Sequence, residues 1–191
     1  MLLFINACVR PASRTKRLAD RLLSRLEGPI RETRLHELAL PRADAAFLEE
    51  RDALLRRGDF GHPLFALARD FAAADEIVLA APYWDLSFPS SVKAYLEQIT
   101  VTGLTFSYGE DGLPRGHCRA RRLWYVMTAG GPILPPNHGY AYVRDLAAGF
   151  FGIPETVLCS AELLDVEGTD AEAILREAEA RIDALLPAGG I

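Results

Sequence analysis

Short, nearly continuous apolar runs alternate along this chain with longer stretches whose apolar residues fall at helical spacing. Residues 2–5, Leu-Leu-Phe-Ile, read as a buried strand, and residues 15–26 follow as an amphipathic helix with Leu18, Leu22, Leu23 and Leu26 on one face. Residues 34–38 predict a second strand. Residues 44–57 predict a helix bearing Phe47, Leu48, Leu54 and Leu55, and residues 64–74 another bearing Leu64, Leu67, Ala68 and Phe71, with a break over 58–63 between them. Glu-Ile-Val-Leu-Ala-Ala at 76–81 is a strand buried on both faces. After a loop over 82–89, a helix over 90–100 has Ser90 or Ser91 near its start. Residues 103–118 form a turn-rich excursion. A buried strand over 122–128, a helix over 140–151 ended by Gly152, a strand over 155–161 and a helix over 169–186 capped by Thr169 or Asp170 complete the pattern.

Strands alternating with helices specify an α/β domain built on a parallel sheet covered on both faces. Five strands in one domain spanning residues 1–191 suit the spatial order 2-1-3-4-5. Sheets of this kind bind ligands at the C-terminal ends of the strands, beside the point where the strand order reverses. The loops after the first, third and fourth strands then converge.

Each of those loops carries candidate chemistry. The first, Asn-Ala-Cys-Val-Arg-Pro-Ala-Ser-Arg-Thr at 6–15, joins a strand to a helix start, where unpaired backbone N–H groups and a partial positive charge favour an anion such as phosphate. Ser13 and Thr15 add hydroxyls, and Arg10 or Arg14 a charge; alternatively Ser13 only caps the helix. The third-strand loop has Pro82, Tyr83, Trp84, Asp85 and Leu86, suited to the edge of a planar heteroaromatic ligand or to packing on the domain. The fourth ends in Thr128, Ala129, Gly130 and Gly131, where glycine permits close backbone approach or simply a tight turn. A phosphate site and a planar-ring site on one edge suggest flavin mononucleotide.

Composition narrows the classes. The formal net charge is −5, which argues against a nucleic-acid partner, and the basic side chains of the first helix read as a solvated face. Three cysteines, Cys8, Cys118 and Cys159, lie far apart without a C-x-x-C, so neither a disulfide framework nor a metal site is expected. Cys8 sits in the anion loop as a buried spacer or as a thiol of lowered pKa. No membrane span and no signal peptide are expected, which fits a cytoplasmic protein. Apolar residues in the 60–65 and 83–88 loops point to a homodimer.

The stretches INACVRPASRTKRLAD, EIVLAAPYWDLSFPSSVKAYLEQITVTGLTFSY, VMTAGG and YVRDLAAGFFGIPE extend from the first strand to the last. Through them the chain resembles the flavodoxin-like NAD(P)H:quinone reductase and FMN-dependent NADH-azoreductase family. The resemblance implies that Ser13, Arg14 and Thr15 hold the FMN phosphate. It places Tyr83, Trp84, Asp85 and Leu86 along the isoalloxazine edge, and Thr128, Ala129, Gly130 and Gly131 on the pyrimidine side. It also implies two-electron transfer from NADH or NADPH through FMN to a quinone or azo compound, in a homodimer. Trp84 and Asp85 depart from the commoner Tyr-Asn-type pair, and Pro132 to His138 is rich in proline. His138, Tyr140 and Tyr142 are the candidates for a catalytic proton donor. The competing readings are a flavodoxin-type electron carrier and a flavin-free interaction protein that kept the fold.

Overall fold

The computed structural model describes residues 1–186; residues 187–191 of the expected single domain lie outside the described residues. The strands are β1 (Leu2–Asn6), β2 (Ile30–Arg34), β3 (Glu76–Ala80), β4 (Phe106–Tyr108), β5 (Pro114–Gly116), β6 (Arg122–Thr128) and β7 (Glu155–Ala161). The helices are α1 (Arg14–Leu23), α2 (Ala45–Arg57), α3 (Ala66–Ala73), α4 (Ser90–Ile99), α5 (His138–Leu146) and α6 (Ala171–Leu185). The main sheet has five parallel strands in the order β2-β1-β3-β6-β7. With the antiparallel β4–β5 hairpin set aside, this is the expected 2-1-3-4-5. The turn-rich excursion over 103–118 is that hairpin.

The period of two along each strand divides the core in half. Leu3, Ile5, Ile77, Leu79, Tyr125 and Met127 face one side, against Phe71 of α3, Val92 and Tyr95 of α4 and Val143 of α5. Leu2, Phe4, Val78, Trp124 and Val126 face the other, against Leu18 and Leu22 of α1 and Leu175 and Ile182 of α6. Burial on both faces is why these strands read as continuous apolar runs.

The second strand departs from expectation. It occupies Ile30–Arg34, not 34–38, and its residues IRETR are mostly exposed. It is an edge strand bonded only to β1, so charged side chains suit it and no apolar run marks it. The apolar signal at 35–38 belongs to a 3₁₀ turn, Leu35–Glu37, that buries Leu35.

Several helix ends follow the expected capping chemistry. Ser13, Asp44 and Asp170 cap α1, α2 and α6 through their side chains, and Gly58 and Gly152 close helices in the left-handed conformation. Before Gly152, α5 runs into a π-helical turn, Ala147–Phe151. The basic face of α1 is not simply solvated. Arg17 pairs with Glu172 and Glu179 of α6, and Arg21 with Asp183, so an ion-pair ladder docks α6 beside α1. Phe65, one of the apolar residues of the 60–65 loop from which a homodimer is expected, is fully buried in the α3-side core. No helix among the described residues is long and apolar enough to cross a membrane.

Candidate functional site

The loops after β1, β3 and β6 meet at the C-terminal edge of the sheet around a cleft of about 230 Å³. Its lining includes Arg10, Ser13, Arg14 and Thr15 from the first loop, Pro82, Tyr83 and Trp84 from the second, and Thr128 and Gly130 from the third. The loop after β7 adds Asp165. That residue was not anticipated, although the rule that placed the other loops applies equally to the last strand.

The first loop turns into α1 through Arg10-Pro11-Ala12-Ser13, where the Ser13 amide donates to the Arg10 carbonyl at 3.1 Å. Ser13 Oγ accepts from the Lys16 amide at 3.2 Å. Capping uses only a lone pair, so the hydroxyl hydrogen is still available to a ligand, and the two expectations for Ser13 are compatible. The amides of Arg14 and Thr15 donate to no acceptor among the described residues. They are the orphan donors of a helix N-terminus, here opening on a cleft. The Thr15 hydroxyl faces inward: it is buried and bonded to Thr128 Oγ1 at 2.6 Å, so Thr15 offers the cleft its amide. Arg14 reaches across to the loop after β7, donating to the Leu164 carbonyl and to Asp165, each at 2.8 Å.

In the second loop, Trp84 and Ser87 exchange two backbone bonds, at 3.0 and 2.8 Å, around Asp85 and Leu86. Both central residues have positive φ, 50° and 66°. Such a turn ordinarily takes Asn or Gly, and a leucine there is strained. The turn projects Leu86 outward and leaves both central amides without an acceptor among the described residues. The Tyr83 amide is bonded to the Thr128 carbonyl at 3.0 Å, which fixes the second loop against the third.

In the third loop, the carbonyls of Ala129, Gly130 and Gly131 accept from Leu164, Asp165 and Leu163, while the Gly130 and Gly131 amides have no acceptor among the described residues. A Cβ on Gly130 would lie 2.3 Å from Asp165 Oδ2, so a side chain there would push the exposed Asp165 carboxylate aside; Gly131 faces open space. Ala129 is buried.

The proton-donor candidates separate. Tyr140 turns inward, its ring 5.9 Å from that of Tyr125 and its hydroxyl donating to the Thr156 carbonyl at 3.0 Å. His138 and Tyr142 line a groove next to the second loop, with Ser87, Phe88 and Lys93. Asn137, near the end of the proline-rich segment, caps α5. Burial raises the Cys8 thiol above its ordinary pKa, so of its two readings the buried spacer fits. Among the described residues no cluster of metal-ligating side chains occurs.

A protein family described by its flavodoxin-like fold matches residues 1–186. The chain is 35% identical over 186 residues to FMN-dependent NADH:quinone oxidoreductase 2 of Clostridium acetobutylicum, covering 92% of each chain. It is 33% identical over 186 residues to FMN-dependent NADH:quinone oxidoreductase of Clostridium beijerinckii, covering 93% of each. Among solved structures it is similar to an FMN-dependent NADH-azoreductase from Bacillus anthracis in complex with FMN, with a TM-score of 0.81 at 19% identity over 97% of each chain.

Proposed function

This chain belongs to the flavodoxin-like family that includes those FMN-dependent NADH:quinone oxidoreductases, and we propose that it is itself an FMN-dependent NADH oxidoreductase with quinone or azo acceptors. The observation that carries the reading is the set of backbone amides without acceptors on the three converging loops: Arg14 and Thr15, Asp85 and Leu86, Gly130 and Gly131. Thr15 is buried and Arg14 and Gly130 are half-buried, and an amide in such a place is rarely left unpaired; Asp85, Leu86 and Gly131 are exposed. Arg14, Thr15 and Gly130 line the cleft itself, and their free donors suit a ligand with a phosphate at one end and a ring rich in acceptors at the other.

Ser13 and the amides of Arg14 and Thr15 would hold the phosphate. Pro82, Tyr83, Trp84, Asp85 and Leu86 would border the isoalloxazine, and Thr128 to Gly131 its pyrimidine side. FMN supplies a two-electron carrier between a nicotinamide and the acceptor when bound. The protein's part is to bind, orient and stabilise. The Gly130 and Gly131 amides would offer fixed dipoles to a bound ring that takes up electrons, without a mobile charged side chain. Trp84, 40% exposed, offers a planar wall for an aromatic partner. His138 and Tyr142, in the groove beside the second loop, would be the side chains to pass a proton to an acceptor at the rim.

Donor and acceptor would take turns at the same open face of the flavin, in a ping-pong cycle. We assign the chain as a single cytoplasmic domain that works as a homodimer. Phe88 of the second loop packs against Tyr142 of α5, with ring centroids 5.8 Å apart. Beyond them a groove of about 600 Å³ runs between α4 and α5, lined by Leu96, Leu146 and Phe150 together with Lys93, Glu97 and Asp145. A second copy related by a two-fold axis would cover this face and close the rim of the cleft.

The test is to purify the protein, reconstitute it with flavin, release the cofactor by heat and separate it beside FMN and FAD standards, with the mass of the native protein read by light scattering. FMN and a dimer mass are expected. FAD, or no retained flavin, would overturn the cofactor assignment, and a monomer at micromolar concentration would overturn the dimer.

A further inference from the structure

The two arginines of the first loop are in different electrostatic situations. Arg14 stands at the first position of α1, yet its guanidinium is already bonded to the Leu164 carbonyl and the Asp165 carboxylate, both at 2.8 Å. A carboxylate in direct contact offsets the field that Arg14 presents to the cleft. Arg10 lines the same cleft, is exposed, and pairs with no carboxylate among the described residues. Its carbonyl accepts from the Ser13 amide at 3.1 Å, so the turn through Pro11 folds Arg10 back beside the start of α1, where the Arg14 and Thr15 amides lack acceptors.

We propose that Arg10, and not Arg14, is the charged ligand of the cofactor's phosphate monoester, and that Arg14 is a positioning residue tying the loop after β1 to the loop after β7. This assignment rests on the flavin reading given above. It divides a role for which the loop's residues offer either arginine and the family resemblance implies Arg14. Arg10 has the whole guanidinium edge available for a phosphate. Arg14 holds the Asp165 side chain beside Gly130, whose carbonyl accepts from the Asp165 amide at 2.9 Å, and thereby braces the third loop.

The two roles differ in ligand selectivity. A phosphate ligand contributes to binding of FMN but not of riboflavin, which has the same ring and ribityl chain without the phosphate. A brace between loops supports both. The experiment is a fluorescence titration of the flavin-free protein with FMN and with riboflavin, for the native chain, Arg10→Gln, Arg10→Lys and Arg14→Gln, at low and high salt. Arg10→Gln is expected to weaken FMN about tenfold or more while changing riboflavin by less than about twofold. The salt dependence of FMN binding should fall with it, and Arg10→Lys should restore part of the selectivity. Arg14→Gln should weaken both ligands by a similar factor. Arg10 is exposed and outside the core, so its arm of the test does not depend on how well the Arg14 variant folds. An unchanged FMN-to-riboflavin ratio in Arg10→Gln, or a phosphate-selective loss confined to Arg14→Gln, would overturn the assignment while leaving the flavin reading intact. A native protein that binds neither flavin would overturn both.

Discussion

Thr15, in the first turn of α1, and Thr128, the last residue of β6, share a hydrogen bond of 2.6 Å between two buried hydroxyls. It joins the start of the first loop's helix to the start of the third loop. Replacing either residue by Val leaves the other hydroxyl buried without its partner, which costs about 1–3 kcal/mol. Replacing both removes the unmet demand, so the double variant should lose less than the sum of the single losses. Urea unfolding of the four proteins measures this coupling. Additive single effects would mean the two hydroxyls do not depend on each other.

Gly130→Ala and Gly131→Ala should behave differently despite adjacent positions. A methyl at Gly130 collides with the Asp165 carboxylate, displacing it from Arg14, whereas one at Gly131 enters open space. Gly130→Ala should therefore weaken flavin affinity by about tenfold. Gly131→Ala should leave it within about twofold. Equal losses in a flavin titration would show that backbone freedom, and not the Asp165 contact, sets the requirement.

The ladder between α1 and α6 predicts an acid-sensitive contribution to stability. The hydrogen bond from Arg21 holds the Asp183 carboxyl below the usual carboxylate range. A depressed native pKa gives stability that is fully present above the unfolded value of about 3.9, and that is lost as pH falls through the native value. Asp183→Asn should thus melt below the native chain at about pH 7, with the two melting temperatures converging towards about pH 2. A gap that stays constant over that range would contradict the linkage. Added salt should narrow it at neutral pH, because the pair is at the surface.

Burial sets the chemistry of the cysteines. It pushes the Cys159 thiol up to about 11 and the Cys118 thiol up to about 12, and it raises that of Cys8 as well. Thiolate is then scarce at neutral pH, and labelling with an aromatic disulfide reagent should be slow in the native protein and complete after unfolding. Rapid native labelling of Cys8 would instead revive a reactive thiol in the phosphate loop.

The sheet order, the three converging loops and most element boundaries were legible because the central strands are buried on both faces and the helix caps are local signals. β6 and β7 fall where the apolar runs place them. The edge strand β2 was not legible at its true position, because a strand bonded on one side needs no apolar alternation, and Leu35 and Leu38 drew the reading past it. Ser13, Tyr83, Trp84 and Gly130, singled out from the sequence, do line the cleft, but the sequence does not disclose the engagement of Arg14 with Asp165, a contact between residues 151 positions apart. Nor does sequence disclose that the Thr15 hydroxyl turns inward, since that depends on Thr128 arriving opposite it across the fold.

The most direct test of the proposed function is an anaerobic two-step titration of the FMN-loaded protein. One equivalent of NADH should bleach the yellow flavin band, and benzoquinone added afterwards should restore it with quinol formed in equal amount. Steady-state rates over a grid of both substrates should then give parallel double-reciprocal lines. A flavin band that NADH leaves unchanged, or one that NADH bleaches but no quinone or azo compound restores, would contradict the assignment as an FMN-dependent NADH oxidoreductase with those acceptors.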